Sequence, residues 1–194
     1  MRKARIQDFL EMGKSSLAKH QILSRGPDFV EIGAPNSSNM RCKLSLYRGH
    51  LSLVGDPDPM VWAYYDARDI EGAIAWMARG DIEYYVHQKA SIGMGGIGVD
   101  EFDDEVALAD AEEHLRHVTE EDSRRMRIKA WEKIVEELKD NGAMGQHDTY
   151  NLIYEIADDF DNLSGNFGMV VSSRLVWAWM LVRKAHELIE GSVS

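Results

Sequence analysis

The chain of 194 residues has one cysteine, four prolines and no long hydrophobic run. Because a single thiol cannot close an intramolecular disulfide, Cys42 excludes a disulfide scaffold and fits a reducing cytoplasm. No apolar stretch approaches the roughly 20 residues that a membrane-spanning helix requires. The first residues, MRKARIQDFLEMGKSS, also lack the continuous apolar segment of a signal peptide. We therefore expect a cytoplasmic protein with no membrane partner.

Positive charge is also scarce, since 22 Lys and Arg residues face 33 Asp and Glu residues and leave a net charge of −11. The excess is uneven: residues 1–60 carry +3, residues 61–122 carry −12 and residues 123–194 carry −2. Sequence-independent binding to DNA or RNA needs a basic surface, so this balance argues against a direct nucleic-acid binder. An acidic field instead attracts basic proteins, including proteins that themselves bind nucleic acid.

What the chain does contain is an ordinary globular composition, with 44% hydrophobic and 28% charged residues. A chain of this length and composition can fold as one domain with a sizeable core. We therefore assign residues 1–194 to a single domain. Within it we distinguish a sheet-containing part at 1–91, a connection rich in Gly and Asp at 92–104, and a helical part at 105–194.

The first third combines a helical segment with strand patterns. Apolar residues at helical spacing predict a helix that reaches QILS at residues 21–24, with a break at Gly13. The alternation in MRCKLSLY, the RGH turn, LSLVG and the aromatic run MVWAYYDA predict three or four antiparallel strands between about residues 29 and 66. The DPDP turn separates the last two of these strands.

From Asp69 onward the patterns are helical. Asp69 and Gly80 are typical of the two ends of a helix, and Asp81 is typical of the start of the next. EFDDEVALADAEEHLRHV predicts a further helix, and TEEDSRRMRIKAWEKIVEELKDNG predicts one with acids in its first turn and Gly142 past its end. The apolar stretch Leu175–Val182 predicts a central buried helix. The fold class is α+β, a small antiparallel sheet followed by a mostly helical C-terminal two-thirds.

The segment IGMGGIGVDEFDDE at residues 92–105 contains G-x-G-x-x-G, the pattern that holds a dinucleotide pyrophosphate. That fingerprint needs a strand before it and a helix that opens at its last glycine. Here the preceding YYVHQKAS predicts the end of a helix, and the acids that follow would repel phosphate. We interpret the glycines as a flexible connection between helices and predict no bound cofactor.

The acidic residues after the glycines are the better candidates for function. They are Asp100, Glu101, Asp103, Asp104, Glu105, Asp110, Glu112 and Glu113. One interpretation is structural, because acids at a helix N-terminus complement the helix dipole. The other is mimicry of a nucleic-acid backbone, in which exposed carboxylates occupy a basic groove on another protein. We predict a partner-binding acidic surface, with loop contacts from Asp56 and Asp58.

Two further groups resemble catalytic or ligand sites in composition. His114 and His117 are spaced one turn apart, and Asp110 precedes His114 by one turn, but a transition metal needs more ligands than these. Asp56 and Asp58 offer carboxylates of the kind that hold magnesium, although turns are rich in Asp for structural reasons. A metal-dependent hydrolase is therefore an alternative, while we predict no metal site and no catalytic residue.

A second alternative is a small-molecule binder, for example a protein that sequesters a nucleotide signal. Such a protein needs cations that converge on phosphates and an aromatic side chain that stacks on the base. Arg41, Lys43 and Arg48, on the predicted hairpin, are the compact candidates for the cations.

Residues 44–91 and 170–185 contain a series of spaced motifs. These are a Gly-Asp turn, an aromatic strand, an Asp…Tyr…Lys helix and a Trp-Ala step: Gly55-Asp56; Val61, Trp62 and Tyr64; Asp81, Tyr84 or Tyr85, and Lys89; Trp177-Ala178. In this series the chain resembles a family of proteins of undetermined activity that recurs in bacteriophage and prophage genomes. It departs from the family in the DPDP turn and in the basic, serine-rich first 40 residues. The resemblance implies a phage-encoded protein that acts inside a bacterial cell, and it implies no catalytic residues.

These observations lead to one expected function. We predict a phage-encoded, non-enzymatic interaction protein that binds and inhibits a host protein through an acidic surface. The expected partner is a defence complex that binds nucleic acid, as for anti-CRISPR or anti-restriction inhibitors. Self-association of the chain is left open.

Overall fold

The computed structural model describes residues 2–56, 59–63, 68–82, 86–92, 100–121, 125–142, 144–156 and 167–192. The chain forms two compact units. Asp100–Val170, together with Met1–Arg2, form the first, which we call the acidic unit, and Lys3–Val99 with Val171–Ser194 form the second, which we call the sheet unit. The sequence groups residues 105–194 as one helical part, whereas the structure places the last helix of that range in the sheet unit.

The sheet unit contains a six-stranded antiparallel sheet in which each strand pairs with the next along the chain. The strands are β1 Gln21–Gly26, β2 Phe29–Gly33, β3 Cys42–Tyr47, β4 His50–Gly55, β5 Met60–Ala63 and β6 Ala90–Ile92. Side chains alternate between the two faces of a strand. Leu44, Leu51 and Leu53 are therefore fully buried, while their neighbours Lys43 and Val54 are exposed.

Helices bury the apolar face of this sheet. They are α1 Arg2–Ser16, α2 Ile70–Arg79, the single turn α3 His87–Lys89, and α7 Ser173–Gly191. Asp69 caps α2 as predicted, because its side chain accepts a hydrogen bond of 2.7 Å from the backbone N–H of Gly72. Helix α7 packs against α2 and buries Leu175, Leu181 and Val182 completely, which confirms the prediction of a central buried helix.

Two strands of the sheet occur where the sequence predicts helix. The first helix ends at Ser16, and QILS starts β1, where Ile22 lies opposite Ile32 of β2. Near Asp81 the backbone N–H of Val86 bonds to the Asp81 carbonyl, and the chain then extends into β6, which pairs with β5. In both places pairing with a neighbouring strand overrides the local helical pattern. Residues 83–85 of the predicted helix lie outside the described residues.

Gly13 lies inside α1 and does not break it. A Cβ atom at this position would meet the side chain of Met180 on α7. The glycine therefore permits a close approach of α1 and α7. Packing between these helices compensates for the intrinsic cost of glycine in a helix interior.

The acidic unit consists of three helices and a two-stranded sheet. The elements are β7 Asp100–Phe102, α4 Asp104–Glu121, α5 Arg125–Asn141, α6 Gly145–Ile156 and β8 Met169–Val171, with β7 paired to β8. Side chains from all three helices form one core, in which Ala111, Trp131, Ile134 and Ile153 are buried. The apolar residues of each helix recur at i, i+3 and i+4, so they lie on the side that faces the other two helices and pack into this core.

The boundary between α4 and α5 differs from the prediction. The sequence assigns Glu120 and Glu121 to the first turn of the second helix, whereas they end α4 in the structure. Helix α4 continues through the predicted boundary at Thr119, whose hydroxyl donates to the carbonyl of Leu115 one turn earlier. Helix α5 ends before Gly142, as predicted, and Gly142 adopts a left-handed φ of 63°.

The predicted α+β class is confirmed, because an antiparallel sheet in the first half of the chain accompanies several helices. The sheet has more strands than predicted, and short strands also occur beyond residue 69. No helix of the described residues is long and apolar enough to cross a membrane.

Candidate functional site in the acidic unit

The division into units also divides the charge. Residues 100–170 contain 7 Lys and Arg against 20 Asp and Glu, a net charge of −13. Residues 3–99 and 171–194 contain 14 against 13, a net charge of +1, and Arg2 supplies the remaining positive charge of the total of −11. The whole excess of negative charge therefore belongs to one compact unit of about 70 residues.

Asp103 caps helix α4. One of its carboxylate oxygens accepts a hydrogen bond of 3.0 Å from the backbone N–H of Val106, and its carbonyl accepts one from Ala107. A first-turn N–H has no partner within the helix, so an Asp at this position replaces the missing acceptor. The backbone N–H of Asp103 also donates to the carbonyl of Gly168, which connects the start of the helix to the turn before β8.

Asp104 is also committed inside the unit. Its Oδ1 atom accepts hydrogen bonds from the backbone N–H groups of Met144 and Gly145, at 3.0 and 2.9 Å. These N–H groups lie at the start of α6, where the helix leaves donors without acceptors and carries partial positive charge. One carboxylate therefore satisfies two donors of a helix that follows 40 residues later in the chain.

Asp110 holds the turn that precedes β8. Its Oδ2 atom accepts a hydrogen bond of 2.8 Å from the backbone N–H of Gly168. Gly168 has a left-handed φ of 66°, and a Cβ atom there would meet Phe102 and lie 2.9 Å from the Cβ of Ala107. Only glycine fits this turn without strain or displacement, and Asp110 fixes its backbone.

The outward carboxylates of α4 are Glu105, Glu112 and Glu113, all exposed. Glu112 forms an ion pair of 2.7 Å with Lys139 of α5, and Glu113 lies 3.8 Å from His117 in the next turn. In each pair both side chains are about half exposed or more, so water screens the attraction and both partners remain accessible to another molecule. Asp100 and Glu101, on β7, are half-buried.

The structure therefore separates six of the eight predicted residues into two groups, while Asp100 and Glu101, on β7, are half-buried and belong to neither. Asp103, Asp104 and Asp110 hold backbone N–H groups of their own unit, as in the structural interpretation. Glu105, Glu112 and Glu113 face outward on one helix. Glu105 and Glu112 are two turns apart and lie on the same side of that helix, roughly 10 Å from each other along its axis.

His114 and His117 do not converge on a metal position. The ring of His114 packs on Trp131 with 4.1 Å between centroids, and burial, then the positive charge of Arg127, lowers the pKa of His114. His117 points towards Glu113. Among the described residues no three His, Cys, Asp or Glu side chains gather in a way that could hold a metal ion.

The predicted loop contacts and hairpin cations lie in the sheet unit. Asp56 accepts a hydrogen bond of 2.7 Å from the backbone N–H of Met40, so it fixes a loop, and Asp58 lies outside the described residues. The three cations of the proposed nucleotide site do not converge on one point. Arg41 pairs with Glu31 at 2.6 Å, Lys43 lies 4.0 Å from the centre of the Phe29 ring, and Arg48 lies over Tyr47.

The glycine motif has a different context from the predicted one. A helical turn, α3, does end at Lys89 as predicted, but β6 then separates it from the glycines and runs to Ile92. That strand is antiparallel to its neighbour, and the next described element is another strand, β7. A dinucleotide fingerprint needs a parallel strand followed directly by a helix. The glycines at 93, 95, 96 and 98 themselves lie outside the described residues.

A groove in the sheet unit has no counterpart among the sequence motifs. It encloses about 1140 Å³ between α1, the end of α2 and α7. Its residues are scattered over the chain, so no local pattern shows that they meet. One sequence signal was available: Trp179 and Arg183 are four residues apart on a predicted helix, a spacing that permits a cation–π contact between them.

No family model matches the chain, and neither the curated proteins nor the solved structures contain a significant match to it. The resemblance to the phage family therefore stays a prediction.

Proposed function

We propose that this protein is a non-enzymatic interaction protein that binds a basic, nucleic-acid-binding protein through the exposed carboxylates of its acidic unit. The observation that carries the proposal is the confinement of the excess negative charge to residues 100–170, at −13, while the sheet unit is close to neutral. A general solubility role for the charge does not require that it be concentrated in one unit.

The biological setting of the proposal comes from the resemblance described above. A phage-encoded protein in the bacterial cytoplasm gains most by occupying the nucleic-acid groove of a host defence complex, as an anti-CRISPR or anti-restriction inhibitor does. A carboxylate-bearing helix in such a groove replaces phosphates as the partner of Lys and Arg side chains. Binding would inhibit by exclusion and needs no catalytic residue.

The contact residues follow from the division of the carboxylates. Glu105, Glu112 and Glu113 are exposed and make at most surface ion pairs, so a partner can engage them at little cost. Asp103, Asp104 and Asp110 accept hydrogen bonds from backbone N–H groups of the unit. A partner that engaged these carboxylates would break those bonds and destabilise the unit. The acidic surface of the proposal is therefore Glu105, Glu112 and Glu113, flanked by Asp100 and Glu101.

The test is affinity capture from a bacterial lysate with the full chain, followed by binding measurements with the captured protein at increasing salt. We expect a partner that itself binds nucleic acid and competes with DNA or RNA for the same site. The affinity should fall as salt rises, because exposed charges are screened. Replacing Glu105, Glu112 and Glu113 with Lys should abolish binding.

A matched control has the same change of charge in the sheet unit. Asp8, Glu11 and Asp28 are exposed, and their replacement with Lys should leave the affinity within a few-fold of the original. Equal loss in both variants would show a response to net charge alone. Unchanged binding of the acidic-unit variant, or a partner without a basic surface, would overturn the proposal.

A further inference from the structure

The groove of the sheet unit has an apolar floor. Leu17, Trp179 and Met180 form part of it and are buried, and Leu10 lies partly buried beside them. The indole N–H of Trp179 donates a hydrogen bond of 3.1 Å to the carbonyl of Met77, which fixes the orientation of the ring. The floor is therefore preformed on two packed helices and does not need to be assembled when a ligand binds.

The charges around the groove favour an anion, although the whole chain has a net charge of −11. The cations that line it are Lys14, Arg79, Arg183 and Lys184, and the carboxylates are Glu187 and Glu190. With His186 neutral, these side chains carry +2, or +1 when Glu11, the partner of Lys14, is included.

Both carboxylates already have cationic partners. Glu187 accepts from Lys184 at 3.1 Å, and Glu190 pairs with Arg79 at 3.2 Å. Neither of these carboxylates therefore pairs with Arg183, and Lys14 pairs instead with Glu11 of its own helix.

Arg183 is the cation best placed to meet a ligand. Its guanidinium lies 4.9 Å from the centre of the Trp179 ring, and the side chain is exposed. Among the described residues no carboxylate pairs with it. A guanidinium that stacks on an indole keeps its N–H groups directed outward in the ring plane, where they can hold a carboxylate or phosphate in a bidentate manner. Lys14, across the groove, pairs with Glu11 in a highly exposed bridge that an anion can replace.

We propose that this groove binds an amphiphilic anion, a carboxylate or phosphate attached to a hydrocarbon chain. The anionic head is held by Arg183 and Lys14, and the chain lies on Leu10, Leu17 and Met180. The volume of about 1140 Å³ accommodates such a ligand, since sites for small molecules typically enclose roughly 300 to 1,000 Å³. This site is independent of the acidic surface, because all of its residues belong to the sheet unit.

The test uses four probes of equal chain length, each below its micelle concentration or, for dodecanol, below its solubility limit. These are dodecanoate, dodecyl phosphate, dodecanol and dodecylammonium, titrated into the full chain by calorimetry and by NMR of the Trp179 indole N–H. We expect the two anions to bind and to shift the indole signal, and the comparison between them identifies the preferred head group. Dodecanol and dodecylammonium should bind roughly tenfold or more weakly, because the charge-assisted hydrogen bonds to Arg183 are lost.

The variants separate the groove from non-specific binding. Arg183→Gln should weaken dodecanoate binding by roughly tenfold or more, since it removes the charge but keeps a long polar side chain. Arg48→Gln, an exposed cation on the hairpin, should have no effect. Absence of binding by both anions, equal binding of dodecanol, or equal losses in the two variants would overturn the proposal. The proposed binding of a host protein predicts none of these results. Failure of the groove proposal can therefore be told apart from failure of the proposed function.

Discussion

The carboxylate of Asp104 lies 2.9 Å from the backbone nitrogen of Gly145, and this contact joins the starts of two helices. Asp104 is the first residue of α4, and Gly145 is the first residue of α6. The same oxygen also accepts the N–H of Met144. The sequence assigns Asp104 to a partner-binding surface, but in the structure its carboxylate holds backbone N–H groups of its own unit.

Replacement of Asp104 with Ala should destabilise the acidic unit. The change removes the acceptor of two donors at the start of α6. For the half-buried N–H of Met144 the loss costs about 1–3 kcal/mol, whereas water can satisfy the exposed N–H of Gly145. Because the chain forms two compact units, its unfolding need not be two-state. The direct measurement is therefore hydrogen exchange, in which the amides of Met144 and Gly145 should exchange faster.

Glu105→Ala is the matched control for this prediction. Glu105 lies in the same first turn, so its loss changes the helix dipole interaction in a similar way, but it is exposed. We expect a change in the free energy of unfolding within about 0.5 kcal/mol. Similar exchange of the two amides in both variants would contradict the assigned role of Asp104.

Much of the fold follows from local patterns in the sequence. The alternation in β3 and β4, the cap at Asp69 and the apolar stretch of α7 each reflect a rule that acts within a few residues. These elements occur where they were predicted. The α+β class follows from them, because a half-apolar sheet needs helices to cover its apolar face.

The errors arise where contacts distant in the chain decide the outcome. Gly13 stays helical because Met180, 167 residues later, packs against it, and QILS is a strand because it pairs with β2 in a hairpin that its own apolar spacing does not show. Prediction of the candidate site from the sequence is limited in the same way. The carboxylate of Asp103 bonds to a backbone N–H only three positions away, whereas those of Asp104 and Asp110 bond to backbone N–H groups 40 to 58 positions away. No local pattern separates such carboxylates from Glu112 and Glu113.

Gly168→Ala should destabilise the acidic unit more than a glycine substitution in an open turn. A left-handed φ costs a residue with a Cβ atom about 1–2 kcal/mol, and displacement of Phe102 and Ala107 adds about 1–3 kcal/mol. Gly142→Ala is the control, because Gly142 has a similar φ of 63° but nothing lies within 4 Å of an added Cβ atom. Equal shifts of the urea midpoint in the two variants would contradict the packing part of this expectation.

Cys42 should resist alkylation in the native protein. Burial in the sheet core, and secondarily the charge of Glu31, raises the pKa of the Cys42 thiol to about 12. At pH 8 only about one thiol in ten thousand would be ionised, and the thiolate is the reactive form. Intact mass after treatment with iodoacetamide should show no adduct in buffer and one adduct in denaturant. Rapid labelling of the folded chain would show that the strand opens around Cys42.

The stability of the acidic unit should depend on the protonation of His114. Burial is the main cause that lowers its pKa below the ordinary value of 6.5, followed by the positive charges of Arg127 and His117. Between the lowered pKa and about 6.5 the unfolded chain binds a proton that the folded unit does not, so stability rises with pH in this window. This contribution is complete above pH 6.5 and is lost as the pH falls through the folded pKa.

His114→Phe provides the test, because it keeps an aromatic ring against Trp131 and removes the ionisable group. Urea midpoints measured at pH 7.5 and pH 5.5 should differ less in this variant than in the original chain. The remaining difference reports the other titrating groups, which both chains share. A proton NMR titration of the His114 ring should give a midpoint below 6.5. A midpoint above that value, or the same pH dependence in both chains, would show that burial does not disfavour the imidazolium form of His114.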